Sequence, residues 1–326
     1  GTLRAINPEI GIFGILEDVN REGDPHLMKC LREPGTEVIF SNVLIDENKK
    51  PRWVGDGEPV PERGINFQGE WTPAMTDVPM SHPNSRCTLL SEAIANHNKA
   101  VNADPAGVPI AVVTYSGRDS DTMPPIWVAK TMDDGVVIGA SIVSKATATE
   151  IGASGIRRQP WANAPFIPGK LGDYLDAQFK FFNNPDLRKK PVIAGLNYFL
   201  ARENRGENRT GLLGEKRDVH VWLGWLELYA HGDVQALEIP IGLIPKYEDL
   251  KKIFEQKLNK EYSEDLYTKQ FSLYIDNVLM LIDLEIAAWQ KEEGVSKTIF
   301  DVYDRQKAAL EALKAAKGPI IRPQDL

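Results

Sequence analysis

Residues 109–118 read PIAVVTYSGR, an apolar and β-branched run that begins at a proline and ends at a glycine followed by an arginine. Val, Ile and Tyr are frequent in β-strands, and Gly and Pro often bound them, so this run predicts a buried strand. Three further runs share this composition and predict the rest of a sheet: EVIFSNVLID (37–46), GVVIGASIV (135–143) and PVIAGLNYFL (191–200).

The segments between and after these runs have helical patterns. We predict helices in SEAIANHNKAV (91–101), PPIWVAKTM (124–132), LGDYLDAQFKFFNN (171–184) and DVHVWLGWLELYAHG (218–232). In the last of these, Asp218 is expected to cap the first turn and Gly232 to end the helix, because these residue types favour those positions. Three large side chains fall on one face of this helix and predict a core contact: Trp222, Trp225 and Leu226.

The composition changes after residue 246, where helical patterns follow one another: EDLKKIFEQKLN (248–259), EDLYTKQFSLYIDNVLMLIDLEIAAWQK (264–291) and TIFDVYDRQKAALEALKAA (298–316). We therefore predict an α/β fold in which a mixed sheet is flanked by helices, followed by a helical C-terminal extension. The predicted organisation is a single domain over residues 1–326, with an α/β part at 1–246 and a helical cover at 247–326.

The composition is that of an ordinary globular protein, with 42% hydrophobic and 26% charged residues among 326 and a net charge of −8. This acidic balance argues against a nucleic-acid-binding surface, because phosphate binding is driven by Lys and Arg. The sequence shows no signal peptide and no apolar run of membrane-spanning length. Cys30 and Cys87 form no CxxC pair. We therefore predict a cytoplasmic protein with reduced thiols and without nucleic-acid or membrane partners.

The stretch SHPNSRC (81–87) can be neither a regular helix nor an ordinary strand. Pro83 fixes its own φ and biases His82 away from the helical region, so Asn84 and Arg86 leave a stiff turn. In an extended segment both of these side chains point to the same side. An amide and a guanidinium placed together suit a carboxylate or a phosphate. A polar surface turn explains the same residues, and these seven residues alone leave both interpretations open.

Arg118 directly follows the strand predicted at 109–117, at the position where open α/β sheets bind ligands. A loop arginine paired with Asp119 or Asp121 is the plain alternative. The stretch SKATATEIGASGI (144–156) is rich in small residues and poor in bulky anchors. It therefore predicts either a mobile lid or a simple flexible loop.

Standard catalytic motifs are absent from the sequence, which contains no G-x-x-x-x-G-K-[ST], no H-E-x-x-H, no EF-hand loop and no G-x-S-x-G. In PGKL (168–171), the first glycine of a phosphate-binding loop would fall on Ala164, and Leu171 follows Lys170. Cys87 is a candidate nucleophile, but the sequence suggests no partner for it and favours a small buried thiol.

The motifs resemble, in their order and spacing, the C-terminal part of the GTP-type phosphoenolpyruvate carboxykinases. The resemblance extends from about Leu3 to Pro245 and becomes weaker in the last helices. The matching segments are INPEIGIFG, FSNV, SHPNSRC, GVPI, SGR, GVVIGAS, SKATAT and GEKRDVHVW. It implies the α/β nucleotide-binding fold of that family and an enzyme that converts oxaloacetate and a phosphoryl donor into phosphoenolpyruvate and CO₂.

The resemblance also implies roles for individual residues. Asn84 and Arg86 match the pair that holds the carboxylate and phosphate of oxaloacetate and phosphoenolpyruvate. Arg118 matches the arginine that stabilises the phosphoryl group during transfer, and Phe199 matches an aromatic residue beside the guanine. Residues 146–156 match the lid that closes over the site, with Ala146, Thr147, Gly152 and Gly155 as its lid residues.

The sequence departs from the family pattern in RTGLLGEKRD (209–218). Leu213 and Lys216 stand where the family has guanine-stacking phenylalanine and a base-reading asparagine. Aromatic stacking contributes roughly 1–3 kcal/mol per base, so these changes weaken a guanine site. Pyrophosphate, the donor in another branch of these carboxykinases, needs no base site and would suit the basic edge formed by Lys216 and Arg217. The donor is therefore predicted as GTP or pyrophosphate, with a slight preference for pyrophosphate.

A second departure concerns the start of the chain. The family's phosphate-binding loop and its metal-binding Asp, Lys and His precede the INPE segment, and here only Gly1 to Ala5 precede it. We therefore expect the C-terminal domain of a larger carboxykinase, with its own N-terminal domain as partner and with Mn²⁺ or Mg²⁺ held by ligands outside this chain. The 326-residue chain alone is expected to be inactive. A non-catalytic ligand-binding or interaction domain that kept the fold is the alternative.

Overall fold

The structure, a computed structural model, describes residues 1–7, 9–95, 97–98, 107–145, 156–157, 167–197 and 200–326. They form two compact units, which are described separately: Arg4–Pro109, and Gly1–Leu3 together with the described residues from Ile110 onward. These units divide the chain elsewhere than at residue 246, so the predicted single domain with a boundary there stays a prediction. Each helix in the described part of the chain is too short or too polar to cross a bilayer.

The unit Arg4–Pro109 consists mainly of short antiparallel strands around one helix. One sheet has the strand order β2-β8-β3, a second has the order β5-β4-β6-β7, and β1 pairs with β9. The elements are β1 (Arg4–Ala5), β2 (Gly11–Ile15), α1 (Pro25–Arg32), β3 (Ile39–Ser41), β4 (Leu44–Asp46), β5 (Pro51–Arg52), β6 (Gly64–Asn66), β7 (Gly69–Trp71), β8 (Arg86–Leu90) and β9 (Val108–Pro109).

The single strand predicted over residues 37–46 is wrong, because Asn42 interrupts it. Asn42 has a φ of +59°, a left-handed conformation that asparagine tolerates better than most residues. The chain therefore turns after β3 and enters a different sheet at β4. This turn places Asn42 beside the SHPNSRC stretch, where its carbonyl accepts a hydrogen bond from the backbone N–H of His82 at 3.1 Å.

The core of this unit lies between α1 and the sheet that contains β8. Met28, Trp53 and Leu89 are buried there, and Cys87 is 1% exposed. Burial raises the pKa of the Cys87 thiol above its ordinary value. A thiol kept neutral in an apolar core is a poor nucleophile, so the structure favours the plain interpretation of Cys87.

The second unit is built on a five-stranded sheet with the order β10-β14-β11-β16-β15. Strands β10 and β14 are parallel and the other neighbours are antiparallel, which confirms the predicted mixed sheet. The elements are β10 (Val112–Gly117), β11 (Ile126–Val128), α2 (Met132–Ala140), β12 (Ser144–Lys145), β13 (Ile156–Arg157), α3 (Leu171–Phe182), β14 (Val192–Asn197), α4 (Val219–His231), β15 (Ala236–Ile239), β16 (Gly242–Pro245), α5 (Tyr247–Leu258), α6 (Glu264–Phe271), β17 (Leu273–Tyr274), α7 (Ile275–Trp289), α8 (Lys297–Lys317) and β18 (Ile320–Ile321).

Two neighbouring predictions are wrong, because the predicted helix contains a strand and the predicted strand lies mostly in a helix. The segment predicted as a helix at 124–132 contains strand β11, whose residues are all buried between β14 and β16. The segment predicted as a strand at 135–143 lies mostly in helix α2, which begins after Thr131. The Thr131 side-chain oxygen accepts a hydrogen bond from the N–H of Asp134 at 3.1 Å, as expected of a helix cap. Short apolar runs do not by themselves distinguish a buried helix from a buried strand.

Glycines let α2 lie close to the sheet. A Cβ on Gly135 would come within 2.5 Å of Ile193 Cδ1 on β14, and a Cβ on Gly139 would come within 2.6 Å of Tyr115 Cζ on β10. Protein interiors are close-packed and leave no room for such an approach. Gly135 and Gly139 are therefore required for the close packing of α2 on the sheet.

The predicted C-terminal helices are confirmed, with one break. The helix predicted over 264–291 is divided by strand β17, which pairs with β18 near the chain's end. The predicted core face of α4 is also confirmed, because Trp222, Trp225 and Leu226 are each at most 3% exposed. Gly232 ends α4 with a φ of +83°, as predicted.

The capping role predicted for Asp218 is wrong. Its carboxylate makes no capping bond to α4 and instead accepts a hydrogen bond from the N–H of Glu215, three residues earlier, at 2.9 Å. Asp218 also accepts a hydrogen bond from the Lys260 ammonium at 2.9 Å. The side chain therefore fixes the turn that precedes α4 rather than the helix itself.

The packing of α2 predicts opposite effects for two helical glycines. Gly135→Ala should lower the free energy of unfolding by about 1–3 kcal/mol, because overpacking against Ile193 outweighs the better helix propensity of alanine. Gly224→Ala in α4 should leave stability unchanged or raise it by up to about 1 kcal/mol, because its nearest neighbour is the flexible end of Lys257 at 3.2 Å. Urea unfolding of both variants checks this, and equal effects would contradict the packing described for α2.

Candidate functional site

Asn84 and Arg86 are brought together as the sequence predicts. The Nε of Arg86 donates a hydrogen bond to the Asn84 side-chain oxygen at 2.6 Å. The Arg86 Cζ lies 5.3 Å from the centroid of the Phe13 ring, which supports the guanidinium from one side. Both polar side chains are half-buried. Neither terminal nitrogen of Arg86 donates to another residue among those that the structure describes.

The turn that carries this pair is held by short-range hydrogen bonds. The N–H of Ser85 donates to the His82 carbonyl at 2.8 Å, and the N–H of Asn84 donates to His82 Nδ1 at 2.9 Å. The side-chain amide of Asn42 donates to the Asn84 carbonyl at 3.1 Å. The next residue, Arg86, begins β8 and is fixed by the sheet. Asn84 and Arg86 therefore have a defined backbone on both sides.

Arg118 follows strand β10, as predicted, and its N–H donates to the Val143 carbonyl at 2.8 Å. The approach is close because Gly117 has no side chain: a Cβ there would lie 2.4 Å from the Val143 oxygen. Arg118 is half-buried. Residues 118–123 are called the Arg118 loop below.

A buried carboxylate organises the Arg118 loop from inside. Asp119, 4% exposed, accepts hydrogen bonds from the backbone N–H groups of Asp121, Thr122 and Met123, each at 3.0 Å. Burial raises the pKa of the Asp119 carboxyl, while these backbone donors oppose the rise. The Asp119 carboxylate therefore fixes the backbone of the Arg118 loop.

Asn197, the last residue of β14, joins this loop to the neighbouring parallel strand. Its side-chain oxygen accepts from the N–H of Asp119 at 3.0 Å, and its amide nitrogen donates to the Met123 carbonyl at 2.7 Å. Further along the chain, the N–H of Ala201 donates to the Ser120 carbonyl at 2.9 Å. The segment after β14 therefore supplies bonding partners to the Arg118 loop along much of its length.

The predicted nucleotide- or pyrophosphate-binding residues Leu213 and Lys216 line one cleft that is open to solvent. Leu213 is buried and Lys216 is exposed. We call this feature the Leu213 cleft. Its other lining residues are Pro125, Asn197, Leu200, Leu212, Gly214, Glu215, Asp218, Val219, Trp222 and Gln270.

The wall of the Leu213 cleft is fixed through the backbone of Leu213. Its N–H donates to the Leu200 carbonyl at 2.7 Å, and its carbonyl accepts from the side-chain amide of Gln270 at 2.6 Å. The Gln270 oxygen in turn accepts from the Tyr262 hydroxyl at 2.6 Å. Helix α6 of the predicted helical cover therefore builds part of the cleft.

An ionic cluster holds the segment between β14 and the cleft against α6. Glu207 accepts hydrogen bonds from Arg209 at 2.8 Å and from Arg202 at 2.9 Å, and from Lys269 of α6 at 3.3 Å. These three cations lower the pKa of Glu207 to about 2. Lys269 also pairs with Asp265 at 2.7 Å.

The described residues contain no group of three or more His, Cys, Asp or Glu side chains placed to hold a metal ion. The predicted lid residues Ala146, Thr147, Gly152 and Gly155, and the predicted base-contacting Phe199, lie outside the described residues. Their roles stay predictions.

Three residues of these sites were not predicted: Asn197, Arg205 and Gln270. Asn197 could have been predicted, because it is a polar residue at the end of an apolar strand, and Arg118 was predicted from its place after such a strand. Arg205 is a buried arginine that donates to the Ser272 and Thr122 carbonyls, and Gln270 donates to the Leu213 carbonyl; these carbonyls are at least 57 residues away in the chain, and no local pattern marks either residue.

Comparison with known proteins decides the family. Residues 1–309 match the family described as phosphoenolpyruvate carboxykinase C-terminal P-loop domain. The chain belongs to this carboxykinase family. It is 39% identical, over its whole length, to a protein of Pyrococcus abyssi named phosphoenolpyruvate carboxykinase [GTP]. Proteins of the same name from Thermococcus kodakarensis and Renibacterium salmoninarum are 39% identical over 99% of the chain and 31% identical over 77% of it.

The carboxykinase chain spans about half the length of the curated relatives it matches: 52% of the P. abyssi protein and 51% of the T. kodakarensis protein. The resemblance inferred from the motifs is thus confirmed at the level of the family. The roles of individual residues remain predictions.

The Glu207 cluster predicts a pH-dependent contribution to stability. A carboxylate whose pKa is depressed stabilises the fold above its ordinary pKa of 4.5 and loses that contribution as the pH falls toward about 2. Glu207→Gln should therefore lower the free energy of unfolding at pH 7, and the gap to the wild type should close between pH 4.5 and about 2. Urea unfolding across this range measures the gap.

The exposed neighbour Glu203 provides the control for this measurement. Glu203→Gln should shift stability little at any of these pH values, because surface charges contribute weakly. A gap between wild type and Glu207→Gln that stays constant with pH would contradict the ionic role given to Glu207.

Proposed function

We propose that the protein containing this chain is a phosphoenolpyruvate carboxykinase that converts oxaloacetate and GTP into phosphoenolpyruvate, CO₂ and GDP. In this reaction the C–C bond to the departing CO₂ breaks, and its electron pair forms an enolate. The enolate oxygen then attacks the terminal phosphorus of GTP, and the bond from that phosphorus to the GDP oxygen breaks. The observation that carries the proposal is the Asn84–Arg86 pair, within a chain whose family has this name.

The Asn84–Arg86 pair suits the substrate end of this reaction. The hydrogen bond to Asn84 uses the Nε of Arg86 and leaves both terminal nitrogens as parallel donors. Two parallel N–H groups match the two oxygens of a carboxylate or phosphate and fix its orientation. The same residues therefore serve oxaloacetate before transfer and phosphoenolpyruvate after it.

Arg118 suits the phosphoryl group in transfer. In phosphoryl transfer, charge spreads over three oxygens, and catalysis rests on positioning and electrostatic stabilisation. A guanidinium is always charged and presents a rigid set of donors. The backbone of Arg118 is fixed by Val143 and by the loop that Asp119 organises, so little reorganisation is needed.

The lining of the Leu213 cleft favours a nucleotide over pyrophosphate as the donor. Its charged side chains are Lys216, Glu215 and Asp218, and Lys260 bridges the two carboxylates at 3.0 and 2.9 Å. The basic edge that suggested pyrophosphate therefore also carries two acids, Glu215 and Asp218. The lining also includes the apolar side chains of Leu200, Leu213 and Trp222, which suit a planar ligand. The names of the relatives carry GTP, in agreement with this choice.

A divalent metal, Mn²⁺ or Mg²⁺, belongs to the proposal through the family alone. The described side chains of this chain do not form a site for it, so no step is assigned to the metal here. A cytoplasmic location likewise stays a prediction.

Removal of the Arg86 guanidinium tests the proposed activity. In the full-length protein, Arg86→Ala should lower kcat/KM for oxaloacetate about 100-fold or more, because two hydrogen bonds to a charged group are lost. Arg86→Lys should recover part of this loss, since the charge remains without the fork. Arg63→Ala, at an exposed arginine of the same unit, is the matched control and should keep wild-type turnover. Unchanged turnover of Arg86→Ala would instead favour a non-catalytic domain that kept the fold.

The donor is tested by restoring the family's base-binding residues. Leu213→Phe combined with Lys216→Asn should lower the KM for GTP about fivefold to a hundredfold through base stacking, without improving the use of pyrophosphate. Leu223→Phe, at an exposed position on α4, should leave both unchanged. Saturation by pyrophosphate at concentrations where GTP gives no turnover would contradict the choice of GTP.

A further inference from the structure

Arg205 is a buried arginine that bridges two backbone segments. It is 2% exposed and lies at the end of a single 3-10 turn, Glu203–Arg205. One terminal nitrogen donates to the Ser272 carbonyl at 2.8 Å and the other donates to the Thr122 carbonyl at 3.1 Å. The guanidinium Cζ lies 4.6 Å from the centroid of the Tyr274 ring.

Burying an arginine costs more free energy than burying an apolar side chain of the same volume. Taking a guanidinium out of water carries a large desolvation cost, and burial lowers the pKa of Arg205. Its hydrogen bonds go to backbone carbonyls, and the nearby carboxylates of Asp119 and Asp121 offset part of the cost of the buried charge without bonding to it. Its Nε has no hydrogen-bond partner among the described residues. An apolar side chain of similar length would fill the volume at lower cost, so the two backbone bonds are what the arginine uniquely supplies.

One of these bonds reaches the Arg118 loop. Thr122 belongs to that loop and is held from inside by Asp119. Asn197 and Ala201 hold the loop from the strand side. Arg205 adds an anchor to the helical part of the unit, because Ser272 directly follows α6.

The other bond reaches a junction that also supports the Leu213 cleft. Gln270, two residues before Ser272, donates to the Leu213 carbonyl. The junction from Gln270 to Tyr274 thus holds the cleft wall through Gln270 and the Arg118 loop through Arg205. Without Arg205, the Arg118 loop would lose its bond to the junction that also supports the Leu213 cleft.

We propose that Arg205 is a positioning residue that acts through Arg118 by tying the Arg118 loop to the Gln270–Tyr274 junction. This inference rests on the proposed carboxykinase function. Because Arg118 is assigned to the phosphoryl group in transfer, loss of its positioning lowers kcat. The KM for oxaloacetate, which depends on Asn84 and Arg86, changes little.

A double-mutant cycle in the full-length enzyme tests the inference. Arg205→Met should lower kcat about 100-fold, the effect expected of a misplaced catalytic group, while the KM for oxaloacetate stays within about twofold. Arg205→Lys, which keeps the charge without two separated donors, should lose less. In an Arg118→Ala background, Arg205→Met should cause little additional loss, because a residue that acts through Arg118 has nothing left to position.

Arg32 provides the matched control. Its side chain is 4% exposed, donates to the Pro51 carbonyl at 2.7 Å, pairs with Asp56 at 3.4 Å and stacks over Trp53, within the unit Arg4–Pro109. Arg32→Met should lower the melting temperature, and any effect on kcat should be independent of Arg118→Ala.

Several outcomes would overturn the inference. A wild-type kcat in a folded Arg205→Met enzyme would contradict it. So would an Arg205→Met effect on kcat that is as large in the Arg118→Ala background as in the wild type. If Arg205→Met is unfolded by circular dichroism, the same cycle with Arg205→Lys decides by the same criterion. Absence of turnover by the wild-type protein would refute the proposed function instead, so the two failures are distinguishable.

Discussion

The side chain of Asn197 bonds to both ends of the Arg118 loop, and the functional part of the second unit depends on this contact. Strands β10 and β14 are parallel and end at the same edge of the sheet, where backbone groups lose their strand partners. Asn197 meets that need with one accepted and one donated hydrogen bond, while Asp119 satisfies the loop from within. Buried polar groups must be paired, so the direction in which Arg118 leaves the sheet is fixed. Asn197 also lines the Leu213 cleft, which makes one amide common to both features.

Much of the fold follows from local sequence, and the exceptions have physical causes. Strands β10 and β14 and helices α3, α4, α5 and α8 lie where their patterns predict. The exchange of strand and helix at β11 and α2 occurred because the Pro124–Pro125 pair resembles a helix start and the following run is apolar throughout. The Thr131 cap and the close approach of Gly135 to Ile193 show why the second segment is a helix. The contact with Ile193 joins residues far apart in the chain, so the local sequence does not reveal it. The break between α6 and α7 likewise depends on pairing with β18, which the helical pattern does not show.

In the candidate site, too, some residues could be predicted from the local sequence and others could not. Asn84 and Arg86 could be predicted because Pro83 and strand β8 fix them within a few residues. Arg118 could be predicted from its place after a strand. Arg205 and Gln270 could not, since each is defined by carbonyls far away in the sequence. The slight preference for pyrophosphate rests on the altered guanine-binding positions Leu213 and Lys216 and on the basic pair Lys216–Arg217. The bridge that Lys260 makes to Glu215 and Asp218 could not be predicted, because Lys260 lies 42 residues after Asp218 in the chain.

We propose that the Leu213 cleft takes the guanine nucleotide and is joined to the Arg118 loop through the Gln270–Tyr274 junction. Amide hydrogen exchange of the full-length protein, with and without saturating GTP or pyrophosphate, tests it most directly. The account predicts that GTP slows exchange at residues 213–218 and, through the Gln270–Tyr274 junction, at residues 119–123, whereas pyrophosphate leaves residues 213–218 unchanged. Unchanged exchange at 213–218 with GTP, or equal protection by pyrophosphate, would contradict it.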